Sequence, residues 1–186
     1  MPVEITKLKG GAIQSNTVTN TQLASNILPT DRVLKSGDTM TGQLTISAGG
    51  LDMQSTTTLQ QTKERANVTA TALSANLTIN LLDGAVTYLT ANSTANSTIN
   101  FRGNSTTTLD SLLANGQSIT SLVLVTNGAT AYKIANVQID STTVTPKWSG
   151  NTTPTANSNA IDAFGFTIFK TASNTYTVLG SKTEFV

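Results

Sequence analysis

The chain has 186 residues, no Cys, no His, a formal net charge of +1 and only 11% charged residues. That length accommodates one domain of ordinary size with an appendage, or two small ones. The charge balance supplies no basic field for nucleic acid or a membrane surface, and the missing Cys and His remove disulfides, thiolate metal sites and imidazole ligands, so no cofactor or metal is expected. About a fifth of the residues are Thr, which favours strands, and Asn, Ser and Gly supply turn chemistry; the fold class is all-β. The start of the chain, MPVEITKLKGG, lacks the apolar run of a signal peptide, and no segment approaches the length of a membrane span, so we expect a protein made soluble, without membrane insertion. Asn-x-Ser/Thr sequons begin at Asn67, Asn76, Asn92, Asn96, Asn104 and Asn151, but this composition produces them by chance.

In residues 1–35, Leu8, Ile13, Val18, Leu23 and Leu28 recur every five positions, a spacing that places them on one face of neither a helix nor a strand. Three chains wound together could use it; an arm that orders only on its partner is the other reading. Ile27 to Lys35 reads as a connector around Pro29. The sharpest amphipathic strand follows: in SGDTMTGQLTI, Met40, Gly42, Leu44 and Ile46 fall on one face, and Thr39, Thr41, Gln43 and Thr45 on the other. No complementary apolar segment lies close in sequence, so the economical partner is the same strand from identical subunits around a symmetry axis. Residues 36–62 are therefore expected to be a self-associating segment with those four residues at its axis. The charge trio Lys63 to Arg65 marks the boundary near Thr62, read as a solvated junction rather than a docking contact.

From residue 63 to residue 186 short alternating segments recur with turn signals between them, the pattern of a β-sandwich or jelly roll. Leu77, Ile79 and Leu81 precede Asp83-Gly84 and then Ala85 to Leu89, which predicts a hairpin. Ser97 to Phe101 alternates through Ile99 and Phe101, and Ser118 to Val125 is expected as the central strand, buried on both faces. Asn127-Gly128 turns it back, and Tyr132 with Ile134, then Val137 with Ile139, continue the series. Phe164, Phe166 and Ile168 share one face of Ala163 to Thr171, which pairs with Tyr176 and Val178 across Ser173-Asn174.

No His general base, Cys nucleophile or phosphate-binding glycine loop is available, so an enzyme is not expected. Asp83, Asp110, Asp140 and Asp162 lie in or beside predicted turns and read as caps or turn formers rather than as a glycosidase pair. Arg102 and Lys133 read as solvated charges. Trp148, beside Gly150 and Pro154, suits either a packing role or a stacking contact with a sugar or partner; with Asn151, Thr152, Thr153 and Thr155 it forms the candidate surface contact. The polar loops Gly103 to Asn115 and Ser149 to Asn159 suit surface recognition or simple cover of the sheet ends.

SGDTMTGQLTI resembles the short "sGdtMtGxL" element of bacteriophage tail fibres and related virion fibres. The GAI and TNTQLA pieces resemble the N-terminal segments of some marine phage fibre proteins. NLTINLLDG, STINFRG and Val144 to Gly180 resemble the C-terminal β-domains of phage fibre and other virion proteins. The resemblance implies an extended virion-attachment arm (1–35), a trimeric shaft (36–62) and an antiparallel β-sandwich or jelly-roll-like domain (63–186). It also implies a homotrimeric structural protein of the virion that docks on other virion proteins and contacts a host-surface glycan or protein. A capsid decoration or cement protein is the alternative from another class.

Overall fold

A computed structural model describes residues 63–186 of the protein. The chain divides into two units, Met1–Thr58 and Leu59–Val186, and the described residues lie in the second. The expected arm (1–35) and shaft (36–62), with Met40, Gly42, Leu44 and Ile46, lie outside the described residues.

The described residues form an all-β fold with ten strands and a single turn of α-helix, α1 (Leu109–Leu112). The strands are β1 (Ala66–Ala72), β2 (Asn76–Asn80), β3 (Val86–Ala91), β4 (Ser97–Arg102), β5 (Ser118–Thr126), β6 (Ile134–Ile139), β7 (Thr142–Val144), β8 (Lys147–Trp148), β9 (Ile161–Ala172) and β10 (Thr175–Phe185). They make a six-stranded sheet in the order β1-β3-β5-β9-β10-β8 and a four-stranded sheet in the order β2-β4-β6-β7. From β1 to β6 the chain steps from one sheet to the other at every connection, so each pair of strands adds one turn to a two-layered winding.

Winding of this kind sets successive turns parallel and in register. Leu77, Ile99 and Val137 stack across β2, β4 and β6, as do Ile79, Phe101 and Ile139. The same register stacks Thr78, Asn100 and Gln138 on the opposite face. Strand alternation therefore sends one column of each sheet inward and the next outward. The inward columns meet in one core with Leu89, Val123, Val125, Phe164, Phe166, Ile168 and Val178 of the larger sheet. Each fully buried Leu, Ile or Phe contributes about 2 kcal/mol of transfer free energy.

The expectation of an antiparallel domain is corrected here: five of the eight strand pairings are parallel. Only β5 with β9, β9 with β10, and β6 with β7 run antiparallel. The hairpin predicted at Asp83-Gly84 does not form. Leu81–Asp83 make a turn of 3-10 helix and Gly84 sits at φ 141°, ψ 156°, where a Cβ would lie 2.5 Å from the Arg65 carbonyl oxygen, and the chain crosses from β2 to β3 in the other sheet. Asn127-Gly128 likewise leads from β5 across to β6 rather than back alongside it. The hairpin of β9 and β10 forms as expected, with Val178 opposite Ile168 and Asn174 in the left-handed region at φ 51°. Strand β5 lies inside the larger sheet, but only one of its faces is buried: Val123 and Val125 are fully covered, while Leu122 is 36% exposed.

Candidate functional site

The loop that carries the candidate contact residues leaves β8 at Trp148 and reaches β9 at Ile161. Its first anchor is the Trp148 ring. Strand β8 pairs parallel with β10, which sets Trp148 beside Gly180. A Cβ at Gly180 would lie 2.6 Å from the indole, so glycine leaves the space the ring occupies. The ring also meets Phe166 edge-on at 5.8 Å between centroids, and Phe166 meets Phe101 at 5.1 Å, an aromatic file from the loop into the core. Of the two roles open to Trp148, packing is therefore occupied by its ring, while half-burial leaves part of it at the surface.

The second anchor is Asp162, which is fully buried. Its carboxylate accepts from the Asn157 backbone N–H at 2.9 Å and from Asn157 Nδ2 at 2.8 Å, which fixes the returning limb of the loop. It also accepts from Asn127 Nδ2 at 3.1 Å and pairs with Lys182 Nζ at 2.9 Å. The Asn127 side-chain oxygen in turn accepts from Ser93 Oγ and from the Tyr132 N–H. Four partners on one carboxylate compensate the desolvation that an isolated buried charge would suffer. The expectation that Asp162 is a turn former is corrected: it lies inside β9, on the inward face with Phe164 and Phe166.

Between these anchors the loop is polar and open. Ser149–Asn151 form a single 3-10 turn with Gly150 and Asn151 at positive φ, and Asn151, Thr152, Thr153 and Thr155 are exposed. Trp148, Thr152, Thr153, Thr155 and Lys182 line a recess of about 290 Å³. Its chemistry is hydroxyl donors and acceptors and part of an indole, with the Lys182 ammonium already engaged by Asp162, a set suited to hydrogen-bonding, polyhydroxylated or amide-rich surfaces.

A second polar cluster lies at the other end of β9. Asp110 in α1 pairs with Lys170 Nζ at 2.8 Å, accepts from the Asn174 N–H at 2.7 Å, and is reached by Tyr176 Oη at 3.4 Å. The Lys170 hydrogen bond and the Asn174 N–H hold the Asp110 carboxyl below its ordinary value of 3.8. Burial, then the charges of Asp110 and Asp140, push the Tyr176 phenol well above its ordinary value of 10.0. Asp140, at φ 48°, accepts from the Leu109 and Asp110 N–H groups at 2.9 and 3.0 Å and so caps a helix 30 residues away in sequence. The loop from Gly103 to Asn115 is thus partly core, with Leu109 fully buried. Asp83 keeps its expected role, accepting from Asn80 Nδ2 at 3.1 Å. Arg102, expected as a solvated charge, is half-buried and donates to Asn80 Oδ1 at 2.9 Å.

Among the described residues no three His, Cys, Asp or Glu side chains cluster as a metal site, and no helix is long and apolar enough to cross a membrane. No protein-family model matches the chain, and neither the curated proteins nor the solved structures yield a match.

Proposed function

We propose that the chain is a structural subunit of a bacteriophage virion fibre, a homotrimer whose N-terminal arm docks on other virion proteins and whose C-terminal domain contacts the host surface. The observation that carries this reading is the element SGDTMTGQLTI, which resembles fibre shaft elements and whose apolar face, Met40, Gly42, Leu44 and Ile46, has no partner nearby in sequence. Two features of the C-terminal domain support it. The acidic groups Asp110, Asp140 and Asp162 are engaged in caps and ion pairs that hold the fold together. The loop from Trp148 to Thr155 is a polar surface on a rigid β scaffold, where each hydrogen bond to a glycan or protein adds about 1 kcal/mol and three copies multiply the effect.

A reconstruction of the intact virion tests the reading. Density for the chain in a few copies at a tail, neck or vertex is the expected result. Many copies spread over the capsid would assign it to head decoration instead, and its absence from the particle would end the proposal. For the host contact, replacing Asn151, Thr152, Thr153 and Thr155 together by Ala should weaken binding of the purified protein to host cells and leave its melting temperature unchanged. Undiminished binding would remove the loop from the contact.

A further inference from the structure

The domain holds two lysine–aspartate pairs, and they differ in what else meets the ammonium and the carboxylate. Lys170 Nζ has three N–H donors and three acceptors for them: the Asp110 carboxylate and the backbone carbonyls of Asp110 and Leu113. The Asp110 carboxylate in turn receives the Asn174 backbone N–H and the Tyr176 hydroxyl, and no side-chain amide. Lys182 Nζ has a single acceptor among the described residues, Asp162, although its side chain is only 14% exposed. Around Asp162 stand two side-chain carboxamides, Asn127 on one carboxylate oxygen and Asn157 on the other. Lys182 Nζ and Asn157 Nδ2 donate to the same oxygen, at 2.9 and 2.8 Å, so the amine and the carboxamide are neighbours across one buried acceptor.

We infer that Lys182 and Asn157 become joined by an isopeptide bond, with Asp162 as the proton carrier. The site holds every reactant: a primary amine as nucleophile, a carboxamide whose leaving group is ammonia, and a carboxylate within hydrogen-bond reach of both nitrogens. The fold holds the groups side by side, which replaces a bimolecular encounter with an intramolecular one. Asp162 takes a proton from the Lys182 ammonium, and the neutral pair escapes the desolvation cost of buried charges. The freed Nζ lone pair attacks Asn157 Cγ and the new C–N bond forms. Asp162 delivers its proton to Nδ2, the old C–N bond breaks and ammonia departs, carrying the surplus Nζ proton that the same carboxylate relays. An ammonium and a carboxamide thus become a secondary amide and an ammonium ion, and Asp162 ends ionised as it began. Asn157 is the partner because its amide shares the oxygen with Lys182, whereas Asn127 lies on the other oxygen with its own carbonyl held by Ser93 and the Tyr132 N–H. The bond ties the returning limb of the Trp148 to Ile161 loop to β10, a covalent clamp across the β9–β10 hairpin in a chain that has no cysteine for a disulfide. The inference concerns the domain alone and stands apart from the fibre reading.

The intact mass of the purified full-length protein in denaturant, followed by tandem mass spectrometry of its digest, tests the bond without requiring any variant to fold. We expect a mass one ammonia below that of the sequence, and a branched peptide that joins Asn157 to Lys182. Lys182→Arg and Asn157→Ala should each keep their full sequence mass. The full sequence mass in the natural protein would overturn the proposal. An ammonia loss that persists in Lys182→Arg would also overturn it, as succinimide formation at an asparagine, and so would a branch at Asn127 or at Lys170.

Discussion

Asp162 holds together the loop, the β9–β10 hairpin and the loop after β5 through one carboxylate. Asp162→Ala leaves the mostly buried Lys182 ammonium without its ion partner and releases Asn157 and Asn127, so denaturant unfolding should show a loss of about 3–5 kcal/mol. A loss below about 1 kcal/mol would mean that the carboxylate is solvated in the native state. The Asp110 pair at the other end of β9 responds to acid. Its carboxyl is held below the ordinary value of 3.8, so its contribution is complete above that value and disappears as the pH falls through the lowered folded-state value. Melting temperatures of the natural protein and Asp110→Asn should therefore differ at neutral pH and converge near pH 2, by the linkage of charge to stability. A constant difference across that range would detach the effect from ionisation. Both aspartates look like turn residues when each is taken alone. For Asp162 a signal was present: it falls in the same period-two register as Phe164, Phe166 and Ile168, and Lys182 holds the same relation to Val178 and Gly180. Polar residues in an apolar register mark buried pairs; Lys170 carries that mark too, continuing the register of Phe164, Phe166 and Ile168, whereas its partner Asp110, 60 residues away in sequence, does not.

Element by element, legibility followed sequence distance. The β9–β10 hairpin was readable because its pairing is local and its turn, Ser173-Asn174, lies between two alternating runs. The strands β2, β4 and β5 were readable as strands for the same reason of alternation. Their partners were not. Parallel pairing joins Ala66 to Val86 and Thr98 to Asn136, and such register leaves no turn signature in the intervening residues. Asp83-Gly84 between two apolar runs carries a hairpin's local signal, yet the 3-10 turn there moves the chain between sheets because both flanking runs need the same core. In sequence Trp148 suits two roles, and its seat on Gly180 is out of reach there because the two residues are joined by a parallel pairing across the intervening loop and β9. That seat makes its own prediction. Gly180→Val drives a side chain into the indole and should cost about 1–3 kcal/mol while shifting the emission of the chain's single Trp toward the solvent-exposed range. An unchanged emission spectrum with full stability would mean that the ring does not rest there.

For the molecule as a whole, the described residues make one core from two sheets, whereas the sequence from Met40 to Ile46, outside the described residues, alternates apolar and polar residues without a complementary apolar segment nearby in sequence. A chain beginning at Lys63 should accordingly keep its β-sheet circular dichroism and a cooperative melt, since the winding closes its own core. The shaft reading predicts that self-association depends on the residues upstream. Met40→Asp or Leu44→Asp would place unpaired charge where an axis is proposed and should abolish association without unfolding the C-terminal domain. Sedimentation equilibrium of the full-length chain tests the central claim most directly. The fibre account predicts a single species of three times the 19.4 kDa chain mass, and a stable species of 19.4 kDa would contradict it.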